Sequence, residues 1–131
     1  MDCNEELLQC PCWVMDILPE RVPKNSPGQY FRVERYLMGE ERSRILQQRI
    51  RVMLKLNCYR EFTLEGEANP PPEVIADLLA KQYVLIRTGD ALIASDPDDT
   101  YCTLYNPDEE LLRLVRLIAS GEGLYVWKGV D

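Results

Sequence analysis

The residues best able to do chemistry in this 131-residue chain are five cysteines, at positions 3, 10, 12, 58 and 102, and they stand without a single histidine. Histidine is the commonest general base and the commonest transition-metal ligand, so the usual Cys–His catalytic pair cannot form. Cys3, Cys10 and Cys12 make a C-x6-C-x-C cluster. Thiolates can hold zinc or an iron–sulfur cluster, but this spacing matches no standard site, and a fourth ligand would have to come from Cys58 or Cys102. The cysteines therefore read as small hydrophobes, and neither a metal nor another cofactor is expected. An odd number of thiols cannot all pair within one chain, which fits a reducing, cytoplasmic setting. Cys58 lies beside Arg60 and near Lys55, where cations could favour a thiolate, but its place at the end of an apolar segment favours packing.

Other chemistries fail on context. Asp96, Asp98 and Asp99 could hold a hard cation, yet the loop lacks the EF-hand pattern and reads as a solvated hairpin tip. Gly121-Glu122-Gly123 follows a helical pattern rather than opening one, so it is no phosphate loop, and there is no G-x-S-x-G elbow. The sequence leans away from an enzyme.

Charge is the feature that rises above background. The net charge is −7, but residues 21–60 hold ten Arg or Lys against three Asp or Glu, and the flanks carry the acidity. In helical register Arg44, Arg51 and Lys55 share a stripe, and with Tyr30 they are the candidate anion or ligand site, in a pocket between helices and sheet. The same stripe could instead neutralise the acidic flanks. Overall acidity argues against nucleic acid, and the acidic surface suits a protein partner or self-association.

These residues must be positioned by a single domain spanning 1–131, which is ordinary for this length. The longest apolar stretch, Leu111 to Ala119, is broken by Arg113 and Arg116, so no membrane span is expected. An acidic N-terminus argues against a secretory leader. Glu5 to Leu18 reads as an amphipathic segment ending at Pro19, followed by an extended connector. Ser26-Pro27-Gly28-Gln29 resembles a capping box opening a helix over 27–38, ended by Gly39. Residues 40–57 are predicted helical, 59–65 a strand, and a proline-led helix follows, closed by Lys81. Strands over 83–87, 91–95 and 100–105 form an antiparallel meander. A helix over 107–120, capped by Asn106, and a last strand over 124–128 complete the chain. The pattern is α+β: an antiparallel sheet of about four to five strands, mainly in the C-terminal half, packed by three to four helices. Tyr101, Tyr105, Tyr125 and Trp127 fall on that sheet, with core packing as their default role. The expected function is a non-enzymatic protein-interaction or regulatory module with an acidic surface; the alternative is a small-ligand or anion-binding protein.

Overall fold

A computed structural model describes residues 6–129, so Cys3 lies outside the described residues. Among the described residues the fold is α+β, with seven antiparallel strands in one sheet and four helices. The strands are β1 (Cys12–Asp16), β2 (Thr63–Leu64), β3 (Glu67–Ala68), β4 (Val84–Thr88), β5 (Ala91–Ser95), β6 (Cys102–Tyr105) and β7 (Tyr125–Lys128). The helices are α1 (Tyr30–Glu40), α2 (Arg42–Asn57), α3 (Pro72–Lys81) and α4 (Glu109–Gly121). Sheet order is β3-β2-β4-β5-β6-β1-β7.

The meander β4–β5–β6 and helices α2, α3 and α4 form where periodicity and turn residues place them. In α2 the buried positions Ile45, Leu46, Ile50, Val52, Met53 and Leu56 recur at helical spacing and face the sheet. With Ile75 and Leu79 of α3 and Leu111 and Val115 of α4, Ile50, Val52, Met53 and Leu56 form one core with Met15, Ile86, Ile93 and Leu104 of the sheet.

Four expectations change. The sheet has seven strands rather than four or five. One addition is β3, which pairs with β2, itself within the expected 59–65 strand, across the two-residue turn Glu65-Gly66, with positive φ at both positions (50° and 78°) as a tight hairpin requires. The other is β1: within the stretch read as an amphipathic segment, Cys12–Asp16 is a strand lying between β6 and β7. Its partners come from residues 102–105 and 125–128, and it lacks the turn-flanked neighbouring strand that marks β4 and β5. Caps also shift. Ser26 does not open α1; its Oγ accepts the Gly28 amide at 3.2 Å in a turn, and the helix runs from Tyr30 through Gly39 to Glu40. The cap of α4 is Asp108, whose carboxylate accepts the Leu111 amide at 2.7 Å, while Asn106 sits at φ 54° and donates to the Asp90 carbonyl.

Candidate functional site

Alternation along a strand sends successive side chains to opposite faces. On β1, Trp13 and Met15 join the helical side, leaving Cys12, Val14 and Asp16 on the other face. Cross-strand register sets Val14 between Thr103 of β6 and Trp127 of β7, and Cys12 beside Tyr105. The floor is thus small and apolar at its centre and ringed by aromatic side chains.

Above this floor runs the connection from residue 17 to 29. It leaves the sheet at Asp16 and enters α1 at Tyr30, and both residues line the cleft. Trp127 pins the first limb by donating its Nε1–H to the Leu18 carbonyl at 3.1 Å. The far end turns at Pro23, where the Ser26 amide bonds the Pro23 carbonyl at 3.1 Å. Connections this long without helix or strand are uncommon in compact domains and often functional. Strap and sheet enclose a cleft of about 660 Å³, within the usual range for small-ligand sites.

The Asp16 end is polar. Asp16 is 7% exposed, and its Oδ1 accepts the Ile17 amide at 2.7 Å. Burial pushes its carboxyl pKa up, the Ile17 bond opposes this, and the charge of Glu34 adds to the rise. Tyr30 donates its hydroxyl to Glu34 Oε2 at 2.8 Å; burial and then that carboxylate raise the phenol pKa. Tyr101 shifts the same way, through burial and then Asp99. Both phenols stay protonated at neutral pH. Ring faces supply apolar contact, and Asp16 retains lone pairs for further donors.

Behind the cleft, Arg49 of α2 is 2% exposed. Its Nη1 donates to Ser95 Oγ (3.2 Å) and the Asp96 carbonyl (2.8 Å), and its Nη2 to the carbonyls of Asp99 and Tyr101 (3.0 Å for the latter). One guanidinium therefore fixes the β5–β6 connection and, through it, the Tyr101 ring at the cleft wall.

No family model, curated protein or solved structure matches this chain.

Of the residues proposed from sequence, Tyr30 lines the cleft. Arg51 and Lys55 lie together elsewhere, both holding Glu122 beyond the end of α4, at 2.7 and 2.6 Å. The hydrogen bonds that Arg51 and Lys55 donate lower the Glu122 pKa. Arg44 is exposed and makes no ion pair among the described residues. The structure thus does not gather the four into one site. Sequence reasoning missed Asp16, Arg49, Arg21 and Lys24. Arg49 carried a signal: it falls three residues after Leu46 and four before Met53, inside the apolar stripe. Among the described residues no cluster of three or more potential ligands could hold a metal ion, and no helix is long and apolar enough to cross a membrane.

Proposed function

We propose that this chain is a binding domain that holds a small, flat organic ligand in the cleft beneath the 17–29 strap. The observation that carries the reading is the cleft itself: a stretch of sheet face, small at its centre, walled by Tyr30, Tyr101, Tyr105 and Trp127, with a buried carboxylate in its lining. Rings set around a flat apolar floor favour a planar body over a branched one. A ligand bound to the folded state alone raises the melting temperature, by about 2.7 kcal/mol of added stability at a hundredfold excess over Kd. The test is a thermal-shift panel of metabolites run in parallel on wild type and Thr103→Trp, which fills the floor. A compound that shifts wild type and leaves Thr103→Trp unmoved supports the reading; a flat panel on wild type counts against it.

A second reading, docking of a protein partner, is favoured by α1. None of its residues is buried, and Phe31, Val33 and Tyr36 are 78%, 49% and 64% exposed. A helix covered so little is marginal alone and gains from a partner. Sedimentation of wild type and Phe31→Ala/Tyr36→Ala tests it: a self-associated or complexed species that the double variant loses supports docking, and a monomer with no partner in a pull-down ends it.

A further inference from the structure

We infer that the ligand of this cleft is a nucleoside phosphate, its base laid on the floor against Asp16 and its phosphate held at the strap tip by Arg21 and Lys24. The inference rests on the cleft being a ligand site and names what fills it.

Charge is separated along the cleft. Asp16 lines the cleft from the end of β1, whereas Arg21 and Lys24 line it from the strap, five and eight residues further along the chain, around the turn that the Ser26 amide closes on the Pro23 carbonyl. Arg21 and Lys24 both line the cleft and make no ion pair among the described residues. The opposite end carries Asp16, with Glu34 and Asp99 near enough to influence the surrounding phenols. A ligand matching this polarity is anionic at one end and presents hydrogen-bond donors at the other. Between them it must be flat, because the floor of Val14, Thr103 and Cys12 is low and the walls are rings.

A base bearing ring or amino N–H groups meets these demands. A carboxylate accepts from such donors, as it does when reading cytosine amino groups. Aromatic side chains stack on any base face. Lys and Arg supply phosphate contacts. An aromatic amine would satisfy the Asp16 end but leave the two strap cations unused, and a simple phosphate would leave the rings unused. The chain's net charge of −7 repels a long polyanion, so the ligand is a free nucleotide rather than a strand of nucleic acid.

Calorimetric titration of the full chain with GMP, AMP, CMP and UMP, each beside its nucleoside and with ribose 5-phosphate, tests this. At least one nucleotide should bind, its nucleoside about tenfold more weakly, and ribose 5-phosphate not measurably. Arg21→Ser/Lys24→Ser should bring the nucleotide down to the nucleoside's affinity without changing the nucleoside's. Asp16→Asn should weaken nucleotide and nucleoside alike while its melting temperature stays at or above that of wild type, which separates lost recognition from lost folding. Binding of nucleotides that is indifferent to both variants overturns the inference, as does binding of oligonucleotides alone. If the metabolite panel yields a cleft ligand blocked by Thr103→Trp while no nucleotide binds, the nucleotide assignment falls and the ligand-binding reading stands. If nothing binds in the cleft, both fall.

Discussion

Replacing Arg49 by Met should destabilise the fold by about 3–5 kcal/mol. The residue is 2% exposed and gives four hydrogen bonds, three to backbone carbonyls and one to Ser95. Bonds to a charged group contribute about 1.5–3 kcal/mol each, which would total about 6–12 kcal/mol if they simply added. Two effects reduce that. Methionine no longer carries a guanidinium that must be stripped of water, a cost of several kcal/mol. The Asp96 and Asp99 carbonyls also belong to half-buried residues that water can partly reach. The remainder stays large because carbonyls, unlike a partner side chain, cannot be removed together with the arginine. Against a total stability of about 5–15 kcal/mol, the loss should lower the melting temperature by roughly 10–15 °C in a domain of this size. Urea titration gives the free energy, and amide exchange shows whether residues 96–101 lose protection while α3 and α4 keep theirs. A variant within about 0.5 kcal/mol of wild type, with the loop still protected, would refute the assignment of Arg49 as the clamp of the β5–β6 connection.

Four further perturbations have defined signs. Gly129→Ala places a Cβ 2.5 Å from Cys12 Sγ and 3.2 Å from its carbonyl oxygen, so β1 and β7 must part; urea melts should show a loss of about 1–3 kcal/mol, partly recovered in Cys12→Ala/Gly129→Ala. Asp108→Ala removes the α4 cap and the 2.9 Å pair with Arg60, and should cost about 1 kcal/mol by the same measurement. Glu122→Gln should cost about 1 kcal/mol at neutral pH; because the folded pKa of Glu122 is depressed, its contribution is present above the unfolded value and disappears as pH falls through the folded one, so the two stability curves converge in acid. Asp16 has the opposite sign: its folded pKa is raised, so the ionised group costs stability above that pKa and the cost is relieved on acidification, and Asp16→Asn should match or exceed wild type at pH 7 with the difference closing as pH falls.

The parts of the fold legible in the sequence are those whose signals are local. Helix α3 follows a run of prolines and closes on Lys81, and the Thr88-Gly89-Asp90 turn joins two strands of five residues. Gly89 takes φ 56° there, as the turn requires. What stayed hidden depends on distant partners. Nothing within residues 12–16 says that β1 will lie between strands some ninety and more residues later. Nor does spacing on α2 reveal that Arg51 and Lys55 both close on one glutamate beyond the end of α4. Tyr105, Tyr125 and Trp127 fall on the sheet as expected, while Tyr101 just precedes β6, and alternation puts Tyr105 and Trp127 on one face; whether helices or a strap would cover that face is a tertiary matter. Arg49 was legible in principle, since a charged residue at a core position of an amphipathic helix must find buried acceptors.

The position of β1 links fold to site. Placed at the edge of the sheet, it would leave β6 and β7 to pair directly, with no central column and no anchored connection above it. Lying between them, it sets Val14 and Cys12 as a low floor between rings contributed by its two neighbours. It also ends at Asp16, from which the strap must depart. The same strand then fixes three properties of the cleft at once: its width through the spacing of β6 and β7, its depth through small side chains, and its polarity through one carboxylate at the strand end. Burying that carboxylate works against stability, since its neutral form is favoured where it sits. An asparagine could keep the Ile17 hydrogen bond without that cost. Under the proposed ligand-binding reading the carboxylate gains a role that an amide would not fill, that of a charged acceptor at one end of the cleft.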